Sequence, residues 1–175
     1  MERFKIILRK LFPTQKHTKK SLVCLLIGSL ALFYTGWIIP NRISISPTPS
    51  VGYHFFLYKK NFKPSDIKKG AMVVVPLYTK LIPHCWPCLA VKYVVCDSGE
   101  RLDVRRKREF YCNDRFLGLA KTHSKKGVPV KIFQYHGIIP KGKFFAMGTS
   151  IDSYDSRYVG LEDKSAVKAI AIPIF

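Results

Sequence analysis

Cys88-Leu89-Ala90-Val91-Lys92-Tyr93-Val94-Val95 decides the fold class of this chain. Valine and tyrosine fill strands because branched and aromatic side chains pack well on a pleated surface. A single lysine interrupts the run, and alternation places it on one face with Ala90 and Val94. Two readings of Lys92 follow. A lysine on a solvent-facing edge strand is a common guard against edge-to-edge pairing. A lysine buried among valines has its charged form disfavoured, so its pKa falls and it becomes a candidate base.

Outward from this strand, other β-prone runs recur between turn signals. They cover residues 53–58, 72–78, 108–112, 128–135, 143–147 and 167–174. Asn61-Phe-Lys-Pro-Ser-Asp66 and Asp97-Ser-Gly-Glu100 punctuate them. No long stretch beyond residue 40 carries a 3.6-residue apolar period, and no internal repeat is visible. The fold class is therefore mostly β, barrel-like or sheet on sheet. Arg105-Arg-Lys-Arg108 reads as an exposed turn between strands.

Residues 21–39 are different in kind: Ser-Leu-Val-Cys-Leu-Leu-Ile-Gly-Ser-Leu-Ala-Leu-Phe-Tyr-Thr-Gly-Trp-Ile-Ile, without a charge. A helix needs about 20 apolar residues to cross a bilayer core. Tyr34 and Trp37 fall near its end, where interfacial aromatics belong. The run exceeds a usual signal-peptide core, and no small-x-small cleavage site follows, so a retained anchor over 21–40 is expected. Seven Lys/Arg against Glu2 precede it. By the positive-inside rule residues 1–20 form a basic cytoplasmic tail, and residues 41–175 are exported, in a bacterium to the periplasm. Residues 1–12 also fit a short basic amphipathic helix on the inner membrane face.

The chain is strongly basic, with a formal net charge of +19. Such a balance invites a nucleic-acid reading. The anchor and export argue against one, and attraction to anionic inner-membrane lipid is the expected use of the charge. No nucleic-acid partner is expected.

Just past the anchor lies Ser44-Ile45-Ser46-Pro47-Thr48-Pro49-Ser50. A serine hydroxyl attacks a carbonyl only when a base takes its proton. Ser46, on a Pro-stiffened turn, is the candidate nucleophile, with neutral Lys92 as its base. The Ser44 hydroxyl and the Ser46 backbone N–H are candidates for an oxyanion hole. The third element is the polar loop 148–160. In it Ser153 and Asp155 are placed to hydrogen-bond a lysine ammonium, and Arg157 to pair with Asp155 or Asp152. Taken one at a time, a Ser/Pro loop leaving a membrane and a capped surface loop with one salt bridge explain these residues as well.

Their order along the chain resembles a family. The chain is similar to the bacterial type I signal peptidases, and more closely to the conjugative-transfer (TraF-type) peptidases of that clan, over residues 21–175. Residues 44–50 resemble the serine box Ser-x-Ser-Met-x-Pro-Thr. Lys69-Gly-Ala-Met-Val-Val-Val75 resembles Gly-Asp-x-Val-x-Val, and Val91-Lys92-Tyr93-Val94-Val95 resembles the lysine box. Tyr111-Cys112-Asn113-Asp114 resembles the Val-x-Val-Asn-Gly hairpin. Ser153-Tyr-Asp155-Ser156-Arg157-Tyr158-Val-Gly160 matches Ser-x-Asp-Ser-Arg-Tyr-x-Gly position for position. The resemblance implies a β-rich domain behind one transmembrane helix. It implies Ser46 as nucleophile, Lys92 as general base, Ser44 as oxyanion donor, Ser153 and Asp155 orienting the lysine, and Arg157 bracing the box. It also implies an exported precursor as substrate, in the conjugative branch a pilin.

The family's methionine after the serine is Pro47 here, and its Pro-Thr is Pro49-Ser50. Ser44 and Ser50 are therefore alternative registers, but only Ser46 has both the upstream hydroxyl and the downstream proline. Gly148-Thr149-Ser150 stands where the family has Gly-Asp-Asn. These departures point to a specialised branch.

Cys24 falls in the anchor, and Cys85, Cys88, Cys96 and Cys112 face an oxidising compartment, where four cysteines allow three pairings. A Cys85–Cys88 loop and a Cys96–Cys112 cross-strand bridge are expected, with no metal and no cofactor. His84-Cys85-Trp86-Pro87-Cys88 keeps a second function in view, a membrane-anchored thiol–disulfide oxidoreductase. A third is a non-catalytic conjugation assembly factor that docks through its basic face.

Overall fold

The computed structural model describes residues 18–46, 50–82 and 85–174, and the chain separates after Asn41 into a helix and a β-rich body. The expectations for residues 1–17 and for Pro47, Thr48, Pro49 and His84 lie outside the described residues.

Helix α1, Thr18–Arg42, contains the apolar run. Its stretch Lys20–Trp37 is long and apolar enough to cross a membrane. Leu22, Leu25, Leu26, Leu30, Phe33 and Trp37 are all exposed, so the apolar surface is not a single buried stripe.

Among the described residues the body holds two antiparallel sheets. The strands are β1 (Ile43–Ile45), β2 (Phe55–Lys59), β3 (Met72–Leu77), β4 (Cys88–Asp97), β5 (Arg101–Arg105), β6 (Glu109–Cys112), β7 (Arg115–Leu119), β8 (His136–Ile138), β9 (Lys143–Met147), β10 (Glu162–Asp163) and β11 (Ala169–Pro173). The larger sheet runs β1-β2-β11-β3-β4-β9-β10 and the smaller β7-β6-β5-β8. Cys96 of β4 is bonded to Cys112 of β6, and Cys85 to Cys88.

Three apolar clusters form the core. One lies between the sheets, where Leu102, Val104 and Phe110 meet Phe145 and Met147, with the Phe110 and Phe145 rings stacked 5.2 Å apart. The other two use alternate residues of the same strands: Val73, Val75 and Val94 pack with Ile67 and Phe144, whereas Val74 and Val91 pack with Phe56, Val51 and Ala171. The central strands are covered on both faces, which is why they read as continuous valine runs.

Two expectations fail. Residues 128–135 form no strand beyond an isolated His123–Pro129 bridge. Pro129 has no N–H to give, and the Val130 and Phe133 N–H groups donate to Thr122 and Arg157 carbonyls instead. The edge-strand reading of Lys92 fails as well. β4 is an interior strand between β3 and β9, and Lys92 is only 4% exposed.

Candidate active site

Strand register places Lys92. It lies opposite Val73 of β3 on one flank. On the other flank β9 ends at Met147, opposite Tyr93, and the chain turns away at Gly148. The polar loop 148–160 thus begins beside Lys92. The Lys92 Nζ donates to the Ser153 Oγ at 2.8 Å. Burial pulls the Lys92 amine down from 10.5 to about 8; the Asp155 carboxylate opposes that fall and the Arg157 charge adds to it.

Asp155 does not hydrogen-bond Lys92. Both its oxygens are committed elsewhere. Oδ1 accepts from the Arg157 N–H at 3.2 Å and from Arg157 Nε at 2.9 Å. Oδ2 accepts from Arg157 Nη2 at 2.8 Å and from the Gly148 N–H at 2.9 Å. Asp155 thereby caps the short helix α2, Ser156–Val159. Arg157 also donates to the carbonyls of Leu119, Ser150 and Ser153. It pairs with Asp155 and not with Asp152, which binds Lys121 and Lys125. Ser156 Oγ accepts the Ala146 N–H and fastens α2 to β9.

The serine segment reaches the same place from β1. Ser44 lies opposite Phe56 of β2. The pairing runs one residue further: the Ser46 N–H donates to the His54 carbonyl at 2.7 Å, and His54 Nδ1 lies 3.1 Å from the Ser46 carbonyl. This corrects the expectation that the Ser46 N–H lines an oxyanion hole, because the sheet ladder already uses it. Downstream, the Ser50 carbonyl accepts from the Thr149 N–H at 2.7 Å and the Thr149 Oγ1 at 3.2 Å. Ser44, Ser46, Ser50, Lys92 and Ser153 all line one cavity of about 590 Å³.

Gly148 was noted in the sequence only within Gly148-Thr149-Ser150, yet its position is demanding. A Cβ there would collide with the Ser153 hydroxyl and would lie 2.6 Å from the Ser50 carbonyl. A glycine leaving a strand ahead of a serine-rich loop is the signal that could have found it. The wall made by Lys121, His123 and Lys125 was not read from sequence at all. Its segment, Lys121-Thr-His-Ser-Lys-Lys126, looks like any solvated basic loop.

The cysteines offer little redox or metal chemistry. Cys85 is buried and bonded to Cys88, which opens strand β4, so the pair does not sit at a helix N-terminus. Among the described residues the one metal-compatible group is Cys96, Glu100 and Cys112, and its two sulfurs are bonded to each other.

A family described as "Signal peptidase, peptidase S26" matches residues 16–175. A solved signal peptidase I from Enterococcus faecalis V583 is similar over 59% of this chain and 94% of its own, at 17% identity and a TM-score of 0.38. No curated protein matches the chain.

Proposed function

The chain belongs to the signal peptidase family S26, and from that premise we propose a membrane-anchored endopeptidase that works through a Ser46–Lys92 dyad. Membership makes it a serine endopeptidase that cleaves exported precursor proteins. The reading is supported by one observation above all: Lys92, buried so that its pKa is pulled down to about 8, lines the same cavity as Ser46.

The reaction then runs as follows. Neutral Lys92 accepts the Ser46 proton as Oγ attacks the scissile carbonyl. The Ser44 hydroxyl donates to the oxyanion. Lys92, now an ammonium held by Ser153, passes its proton to the leaving amine. Water, deprotonated by the same lysine, resolves the acyl-enzyme. Asp155 and Arg157 touch none of the reacting atoms and hold the loop that carries Ser153.

Membrane anchoring is supported by α1 and by one face of the β1–β2–β11 edge. Register puts Ile43 opposite Leu57, Ile45 opposite Phe55, and Leu57 opposite Ile172, so these five side chains share a face. All five are exposed, and an apolar face of this kind suits a lipid surface. The basic N-terminal tail supports a cytoplasmic N-terminus and a periplasmic body on the bacterial inner membrane. The departures in the serine box support a specialised precursor, which we take to be a conjugative pilin.

The test is mass spectrometry of pilin precursors incubated with the unmodified protein and with Ser44→Ala, Ser46→Ala and Ser50→Ala. Ser46→Ala leaves the precursor uncut, whereas Ser50→Ala cuts it and Ser44→Ala cuts it slowly. Full processing by Ser46→Ala removes the assignment.

A further inference from the structure

The cavity wall facing the dyad has a charge that the peptidase chemistry does not use. Lys121, His123 and Lys125 line it, and Asp152 is the only acid among the described lining residues. Asp152 spreads itself over two partners: one oxygen lies 2.6 Å from Lys121 Nζ and the other 3.2 Å from Lys125 Nζ. The Lys121 hydrogen bond, then that of Lys125, holds the Asp152 carboxyl below its usual range, so it stays ionised. One carboxylate cannot neutralise two ammoniums, and each ammonium carries three donors. Asp152 therefore fixes a pair of lysines at the cavity with positive charge and donors to spare.

The position is as informative as the charge. Asp152 directly precedes Ser153, whose hydroxyl takes the Lys92 amine at 2.8 Å. Resting on the peptidase reading above, we propose that Lys121 and Lys125 form a subsite for an acidic side chain of the precursor near the cleaved bond, because they line the same cavity as Ser46 and Lys92. A glutamate or aspartate there accepts from the ammonium protons that Asp152 leaves unused, and a lysine there is repelled. Because these lysines are partly exposed, the effect is one of selection among precursors and not of catalysis itself.

The experiment uses the full chain in detergent and one cleavable peptide that carries Gln, Glu or Lys in turn at each position near the cleaved bond. At low salt, Glu at one such position raises kcat/KM roughly two- to fivefold over Gln, chiefly through KM, as an exposed ion pair allows. Lys lowers it, and added salt compresses the difference. Lys125→Glu inverts the order. Arg106→Ala, which removes a charge from the remote β5–β6 turn, leaves the preference intact. Equal kcat/KM for all three residues at every position overturns the subsite while leaving the peptidase reading in place. A change of the preference in Arg106→Ala as large as in Lys125→Glu assigns it to the protein's overall charge and also overturns the subsite. No cleavage of any peptide by the folded chain overturns the peptidase reading, and the subsite with it.

Discussion

Two buried cations both donate to Ser153, Lys92 to its hydroxyl and Arg157 to its carbonyl, and the protein treats them in opposite ways. Arg157 is 2% exposed, and its guanidinium meets Asp155 through two side-chain hydrogen bonds and three backbone carbonyls besides. Burial works against its charge, but the hydrogen bond and charge of Asp155 outweigh burial and hold its pKa above the ordinary value. Lys92 is 4% exposed and has one neutral hydroxyl partner. No carboxylate among the described residues is seen to hydrogen-bond it, and burial pulls its pKa down to about 8. The difference separates architecture from chemistry. A buried charge that is fully paired braces a loop, whereas a buried amine denied a counter-ion is ready to take a proton.

Removing the Lys92 amine tests that contrast most severely. Lys92→Met keeps volume and removes the base, so cleavage falls by roughly 10⁴-fold, the scale seen when one member of a serine catalytic unit is lost. Its thermal midpoint at pH 7 does not fall, because no buried amine needs desolvating. A variant that keeps more than a tenth of the wild-type rate makes Lys92 a structural residue.

Arg157→Met should do the reverse. It strands the Asp155 carboxylate in the core, at a cost of about 3–5 kcal/mol in chemical denaturation. Activity is then lost because the fold is lost. If the variant is as stable as wild type, the pairing with Asp155 is not what braces the loop.

A proton-linked effect on stability follows from Lys92 in the folded chain. Its value near 8 lies below the unfolded 10.5, so between those values the unfolded chain binds a proton that the folded chain does not. Wild-type stability therefore rises relative to Lys92→Met as pH goes from 8 to 10.5, by at most about 3 kcal/mol. A constant difference across that window removes the shift.

Gly148→Ala is the smallest perturbation, a single methyl. It pushes on the Ser153 hydroxyl and on the Ser50 carbonyl at once, and costs about 1–3 kcal/mol of stability. It should slow cleavage more than an equally destabilising change elsewhere in the core. Slowing no greater than that of a matched core variant would separate the loop's position from the chemistry.

The sequence made some of this legible for identifiable reasons. The valine runs of β3 and β4 and the apolar β9 are buried on both faces, so their strand character survives without context. β1, β7 and β8 escaped because none of their residues is fully buried, and β5 because its Arg101 and Arg105 flank only three buried residues. Whether Lys92 was an edge residue was undecidable locally. The answer lay in β3 and β9, and β9 is about fifty residues away in sequence. Ser153, Asp155 and Arg157 were legible as neighbours because their box is contiguous. Their division of labour was not, because the backbone N–H groups that compete for Asp155 appear only once Gly148 folds back onto it.

The rate of precursor cleavage as a function of pH tests the central claim most directly. Wild-type protein should show a rate that falls about tenfold per unit below a half-maximum near pH 8, because only the unprotonated Lys92 amine can accept the serine proton. A rate that is flat from pH 6 to 10, or that reaches half-maximum only near the ordinary lysine value of 10.5, would contradict it.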